Sequence, residues 1–447
     1  MLRFEHMFDS REIVTAPLDM RRLESWVDEL RACPAPEDDR AKVELIAALE
    51  RLVCAAQGLQ AGASAALDTS VRRDEEAHGT PPERRGRGVA AQVALARRES
   101  PHRGRQHLGL ARILADEMPC TRRALREGRI TEWKATILVR ETACLSRADR
   151  RAVDLALAGD LDRLERRGDR ELEAAARGMA AELDAAACVQ RRRVAEAARR
   201  VTLRPVPDTM TRLSVELPVA QGVAVLKSLS DAAAAARSAG DPRTQGQLMC
   251  DSLVERVLGT ADGVGVEIEL VVSDEVLLGA GEGSAFVDGY GAIPAELARE
   301  IARRAGNRGL ARLRRLYRRP ADRQLVAMDS RSRCFPPGLA RFIRLRDQTC
   351  RTPWCDAPIR HIDHAERAAD EGATSAVNGQ GLCEACNYAK EAAGWSVRVI
   401  GRDPHTIETR TPGGHAYRSQ APPLVGPAQV PRGAVPRVDL AFSYSAA

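Results

Sequence analysis

The sequence predicts an α+β protein: a mainly helical N-terminal domain, a small mixed β/α segment, and a small C-terminal module of two strands and a helix. Three observations predict this. Ala, Leu, Val and Arg dominate, and aromatic residues make up only 3%, which suits helices because Ala and straight side chains lose little on helix formation. Apolar residues recur at three-to-four spacing through residues 18–260. Beyond that point β-branched runs, turn signals and a cysteine-rich stretch replace the helical period. With 447 residues there is length for about three domains and a large core. The expected division is a helical domain over 18–260, a strand–helix–hairpin region over 261–335, the module over 336–400, and a disordered tail over 401–447.

In chain order, Val43, Ile46, Leu49, Leu52 and Val53 form an amphipathic stripe. The stretch TSVRRDEEAHGTPPERRGRG, from Thr69 to Gly88, is charged and bears Pro and Gly, so it reads as a loop. Pro119 with Thr121 starts a helix, Gly128 ends it, and Thr131 caps the next. Ser146 with Asp149 resembles a capping box. RVTLRPVPDTMTRLSVEL alternates as a strand pair around Pro207–Asp208. VEIELVVSDEVLLG reads as a buried strand, and Pro294 stands near the start of a helix. Pro320–Arg323 would turn a hairpin. The last segment is rich in Pro and Gly, hence the expected disorder.

Net charge is +6, almost all of the basic side being arginine, which is compatible with a nucleic-acid partner without requiring one. The first residues carry no basic-then-apolar leader pattern, and no uninterrupted apolar run reaches about 18 residues. A cytoplasmic protein with no membrane span is therefore expected. Eleven cysteines in a reducing compartment do not imply a disulfide framework. Seven are scattered (Cys33, Cys54, Cys120, Cys144, Cys188, Cys250 and Cys334) and read mostly as small apolar core residues.

The other four are clustered. Cys350 and Cys355 form C-x4-C, and Cys383 and Cys386 form C-x2-C. Two such knuckles about 30 residues apart suit tetrahedral zinc in a closed structural site, stapling a segment too small to hold its own core. Between them, IRHIDH alternates as a strand burying Ile359 and Ile362, EGATSAVN is a polar loop, and CEACNYAKEAA carries strong helix formers. The implied order is strand, loop, strand, helix.

A strand bearing Asp363 against a helix bearing Asn387 can close on one divalent ion, their hard oxygens suiting Mg2+ or Mn2+. His364 faces away from that ion and, as a neutral imidazole, can take a proton from a water that attacks phosphate. The ion would steady charge on the leaving oxygen. Asn378 is placed to fix the imidazole tautomer through its carbonyl, or else is a loop turn residue. His361 shares a strand face with Asp363, and Glu391 follows Asn387 by one helical turn, so each is a further candidate ligand. Lys390 is a candidate phosphate contact. Arg341, Arg344, Arg346 and Arg351 either clamp a DNA backbone or form a solvated helix face. Trp395 reads as packing the module, and His405 and His415 carry no signal.

These residues, DH…N…C-x2-C-N-x2-K, resemble the HNH nuclease motif on the ββα-metal fold, in its zinc-bearing subgroup. RDQTCRTPWCDAP, GLCEACNYAKEAAGW, LREGRITEWKATILVRETACLS and GDPRTQGQLMCDSLVERVL resemble actinobacterial HNH endonuclease signature-containing proteins with a long helical N-terminal domain of unknown function. The resemblance implies a C-terminal ββα-metal (HNH) module with structural zinc. It implies His364 as general base, Asn378 as the middle asparagine, Asp363 as the metal ligand before the base, and Asn387 in the place of the last histidine. The sequence departs from the pattern in three places. The proline usual after the DH pair is absent, Cys386 stands where many relatives have histidine, and His361 stands where many have aspartate. The leading expectation is a metal-dependent HNH endonuclease hydrolysing phosphodiester bonds in DNA, double-stranded by preference. The alternative is a zinc-stapled DNA-binding module with weak or lost catalysis. In a third reading the helical region binds a protein partner and the nuclease is its effector.

Overall fold

The computed structural model describes residues 19–259, 270–272, 274–277, 283–287, 290–307 and 335–423. The hairpin expected at Pro320–Arg323, and the first part of the strand expected from Val266, lie outside these residues.

Among the described residues ten α-helices come first: α1 Met20–Ala32, α2 Asp39–Ala77, α3 Val89–Ala96, α4 Pro101–Asp116, α5 Pro119–Arg126, α6 Glu132–Glu141, α7 Arg147–Ala158, α8 Leu161–Arg166, α9 Asp169–Leu183 and α10 Ala185–Ala197. The caps lie where the sequence puts them. Thr131 accepts from Lys134 N, Ser146 from Asp149 N, and α5 begins at Pro119. The main core gathers Leu110 and Leu114 of α4, Leu125 of α5, Ile137 and Leu138 of α6, Val153 of α7 and Leu172 of α9. Asp154, 1% exposed, reaches from α7 to the first turn of α5. It accepts from the amides of Cys120 (2.7 Å) and Thr121 (2.9 Å) and from the Thr121 hydroxyl (2.6 Å). A carboxylate there satisfies orphan amides and meets the positive end of the helix dipole.

Two expectations for α2 need correction. The helix runs through the polar stretch to Ala77, because Asp68, 5% exposed, binds Arg72 one turn on and Arg112 of α4 at 2.6 Å. Nor does the Val43–Ile46–Leu49–Leu52–Val53 stripe face the core: Val43 and Ile46 are 65% and 67% exposed. The buried face is made of small residues, Cys54, Gly58, Ala61 and Ala65, which admit α4 and α5 closely. A Cβ on Gly58 would stand 3.0 Å from the Arg126 backbone.

The strand pair forms as expected, β1 Val201–Val206 with β2 Met210–Val215, and α11 Val219–Ser238 packs with α12 Gln245–Leu258. Next come β3 Leu270–Val271, α13 Asp274–Leu277, β4 Ser284–Val287, β5 Gly291–Pro294 and α14 Ala295–Asn307, with an antiparallel sheet of order β3–β4–β5. The module opens on α15 Pro337–Asp347, then β6 His361–His364, β7 Gly379–Leu382, α16 Glu384–Lys390, β8 Ser396–Arg402, β9 His405–Arg410 and β10 Ala416–Gln420.

For residues 401–423 the last two strands replace the expected disordered tail; residues 424–447 lie outside the described residues. β9 pairs with β8 on one side and β10 on the other, through Ala421 at least. The Pro and Gly of TPGG turn a hairpin between β9, buried from His405 to Thr409, and β10, which alternates between exposed and half-buried residues. His405 is not idle either. It is 3% exposed and its Nε2 lies 2.7 Å from the Val377 carbonyl. Burial pushes the imidazole down to about 4, the Arg346 guanidinium adding to the effect and the Val377 carbonyl opposing it.

His405 titrates near 6.5 when unfolded, so below that pH the unfolded chain binds a proton that the folded one refuses. Stability should fall as pH drops from about 6.5 towards about 4, by up to roughly 3 kcal/mol from this group. Urea midpoints at about pH 7.5 and about pH 5 check it: His405→Gln keeps a donor to the Val377 carbonyl and should lose less than the natural chain.

Of the scattered cysteines, Cys54 is a core residue, whereas Cys33 and Cys250 are exposed. Cys144 and Cys188 bring their sulfurs to 3.4 Å, joining α10 to the turn after α6. Hydrogen peroxide should oxidise this pair to a disulfide in preference to exposed Cys33 and Cys250, which peptide mapping would detect.

Candidate functional site

The four clustered cysteines converge. Their sulfurs all lie within 4.8 Å of one another, every one of the residues is buried, and Cys355 and Cys383 are 3.7 Å apart. A tetrahedron with 2.3 Å metal–sulfur bonds has edges of about 3.8 Å, so this donor set can hold a metal ion such as zinc. Local backbone geometry sets the knuckles. Cys350 N donates to Ala357 O (3.0 Å), Cys355 N to Thr352 O (3.0 Å), and Cys386 N to Cys383 Sγ at the first turn of α16. Arg351 N donates to Gly381 O, tying the first knuckle to β7.

The strand pair carries the candidate chemistry. β6 and β7 are antiparallel, with Asp363 opposite Gln380 and His364 opposite Gly379. α15 supports them from one side: Leu339 and Ile343 pack with Ala376 and Phe335. Gly379 is required there, since a Cβ would meet Ile343 Cδ1 at 2.3 Å. Arg346 and Asp347 are buried beneath the same strand. Asp347 accepts from Gly381 N (2.7 Å) and Arg346 Nε (2.7 Å), and Arg346 donates to the carbonyls of Ala376 and Gly379. Arg351 is 3% exposed and donates to the carbonyls of His405 and Ser419. Two of the four arginines read as either a DNA clamp or a solvated helix face are neither: buried carbonyls and Asp347 hold Arg346 and Arg351 inside the module. Arg344 is exposed and Arg341 half-buried.

His364 ends β6, 6% exposed, with its ring centroid 4.6 Å from that of Phe335. Its Nε2 lies 2.9 Å from Thr374 Oγ1 and its Nδ1 3.9 Å from Asp363 Oδ1. The Thr374 hydroxyl can accept from Nε2 or donate to it; in the tautomer with hydrogen on Nε2, the other ring nitrogen, Nδ1, is the one beside Asp363. Asn378 does not touch the ring. Its carbonyl accepts from Glu366 N (2.8 Å) and its amide donates to Glu366 O and Ala373 O, both at 3.0 Å. It clamps the loop that leaves His364, so the orienting contact expected of it falls to Thr374. Nothing local in EGATSAVN distinguishes Thr374 from a loop threonine; only the fold brings it to the ring.

Asp363 lies 2.5 Å, through Oδ2, from Lys390 Nζ. The same ammonium donates to His364 O (2.7 Å) and lies 3.5 Å from Glu391 Oε1. Lys390 is 5% exposed and turned inward, where the sequence suggested a phosphate contact. Glu391 is exposed and also lies 3.6 Å from Arg367. His361 is half-buried, its ring 6.4 Å from that of Tyr388. On α16 the Asn387 carbonyl oxygen is buried with no hydrogen-bond partner among the described residues. An orphaned carbonyl oxygen near a carboxylate-bearing strand fits a hard cation. Asp363 itself is paired with Lys390.

The module rests on the helical domain through Trp395, 6% exposed, whose indole lies against Gly88 just before α3. A Cβ on Gly88, whose φ is +89°, would meet Trp395 Nε1 at 2.6 Å. Glu408 of β9, 2% exposed, lies among Arg410, Arg398 and Arg418, and hydrogen bonds from Arg410 and then Arg398 hold its carboxyl down at about 2. Among the described residues, no helix is long and apolar enough to cross a membrane.

No solved structure matches the chain. The chain is 34% identical over 138 residues to "Uncharacterized protein Rv3776" of Mycobacterium tuberculosis, a stretch covering 30% of this chain and 24% of that protein. The chain thus spans about a quarter of that relative's length. The model of the "Domain of unknown function (DUF222)" matches residues 44–347, ending at Asp347, before the first clustered cysteine. That match takes in the helical core, β1 to β5 and α15, well over half of the chain, and on it the protein belongs to the DUF222 family.

Proposed function

We propose that the C-terminal module is an HNH-type endonuclease that hydrolyses DNA phosphodiester bonds, with zinc in the four-cysteine site as its staple. One observation carries the reading: Asp363–His364 at the end of β6, in front of a helix whose Asn387 oxygen is buried and unpartnered among the described residues. His364 Nδ1 takes a proton from water, and the imidazolium so formed is stabilised by the Asp363 carboxylate 3.9 Å away. Thr374 fixes the ring, and Asn378 fixes the loop behind it. When bound by Asp363 and Asn387, Mg2+ or Mn2+ supplies Lewis-acid stabilisation of the charge on the leaving oxygen. Arg398, Arg410 and Arg418, 54%, 46% and 71% exposed as side chains, outnumber Glu408 between them and offer cations for the phosphate backbone.

A zinc-stapled DNA-binding module with lost catalysis is the second reading, favoured by the burial of His364 and the hold of Lys390 on Asp363. Supercoiled plasmid incubated with the zinc-loaded chain, with Mg2+ or Mn2+ and then with EDTA, separates the two. Nicking that EDTA abolishes supports the endonuclease. Retention of DNA without nicking under any of these conditions supports the binding module.

A further inference from the structure

One of the two groups that would hold the divalent ion, the Asp363 carboxylate, already binds a cation that is covalently part of the chain. We propose that Lys390 is a resident cation that keeps this ion position closed, so that the ion binds only by displacing the Lys390 ammonium from Asp363. The inference rests on the reading of Asp363 and Asn387 as the ligand pair.

Three oxygens surround the ammonium: Asp363 Oδ2 at 2.5 Å, His364 O at 2.7 Å and Glu391 Oε1 at 3.5 Å. An ammonium has three donors and no acceptor, so this set matches it well. The side chain is 6% exposed, which confines the charge instead of leaving it to wander in water. Lys390 stands three residues after Asn387 on the same short helix, so the two share one helix face, and Lys390 reaches the end of β6. Arg367, 3.0 Å from the Lys390 carbonyl and 3.6 Å from Glu391, draws Glu391 partly away and leaves Asp363 as the main anionic partner of Lys390.

Two cations cannot share one carboxylate a few ångströms apart without strong repulsion, which burial intensifies. The ion therefore competes with a tethered rival whose charge-assisted hydrogen bonds it must break. Removing the ammonium while keeping the buried stem should reverse the competition, since Asp363 and the His364 carbonyl are then unsatisfied. Breaking such bonds is worth roughly ten- to a hundredfold in affinity.

The test is Mn2+ binding, measured by electron paramagnetic resonance on the zinc-loaded full chain without DNA, so that it does not depend on cleavage. Lys390→Met should bind Mn2+ roughly tenfold tighter or more, and adding Asp363→Asn to that variant should abolish the gain. Equal Asp363-dependent affinity in the natural chain and Lys390→Met overturns the proposal while leaving the ligand pair intact. Absence of Asp363-dependent binding in Lys390→Met overturns the proposal together with the ligand pair, whatever the plasmid assay shows. A measurement on the natural chain stands in if the variant does not fold. Acetylation of Lys390 by a water-soluble acylating reagent, read by mass spectrometry, should rise at saturating Mn2+ as the ammonium is released. Unchanged protection of Lys390 overturns the proposal.

Discussion

Cys386→Ser is expected to unfold the C-terminal module while leaving the helical domain folded. The four sulfurs are the centre of the cluster that also contains Leu382, and they join the first knuckle to the start of α16. A structural zinc contributes roughly 10 kcal/mol or more to the folding of such a module. Serine keeps the size of the side chain but loses the thiolate. The core of the helical domain draws on Leu114, Leu125, Leu138 and their neighbours and shares no residue with the cysteine cluster. Metal analysis should find the ion lost, limited proteolysis should cut within residues 350–420, and the helical circular dichroism should largely persist. Chelation of the natural chain should give the same pattern.

The second large effect is expected at Asp347, whose side chain is fully buried. Its carboxylate sits between Arg346 (2.7 Å) and Arg351 (3.7 Å) and accepts from Gly381 N on β7. Burial already pulls Arg351 down to about 10, with the Asp347 charge opposing that shift. Asp347→Ala leaves two buried guanidinium groups without their counter-charge and an amide of β7 without its acceptor. Breaking one partner of a buried pair costs about 3–5 kcal/mol. Denaturant unfolding followed by the fluorescence of Trp354 and Trp395, both in the module, checks this. Asp347→Asn keeps an acceptor for Gly381 N and should fall between the two.

What was legible in the sequence was local. Caps such as Thr131 and Ser146 announce helix starts because one side chain satisfies amides two or three residues on. Paired cysteines announce a metal site because a tetrahedral ion needs soft ligands at knuckle spacing. The Pro207–Asp208 turn was legible from alternation on either side. What failed depended on partners far along the chain. The Val43–Ile46 stripe has helical period, yet α4 and α5 take the small-residue face instead, a choice that only the facing helices make. Arg346 and Arg351 read as surface cations because nothing near them reveals that Asp347 and the carbonyls of β7 and β10 will surround them. β9 and β10 were hidden by Pro and Gly, and HTIETR has no alternation to reveal them, since His405 to Thr409 are all buried between β8 and β10. At the site, Asp363, His364 and Asn387 stood out by type, whereas Thr374 and the inward turn of Lys390 arise from folding alone.

The central claim is that the His364 imidazole withdraws the proton from the attacking water. Single-turnover nicking of supercoiled plasmid by the zinc-loaded chain and by His364→Ala, with DNA binding measured in parallel, tests it most directly. The account predicts a rate about 10²–10⁴-fold lower in the variant, with DNA affinity unchanged. Equal nicking rates for the two chains would contradict it.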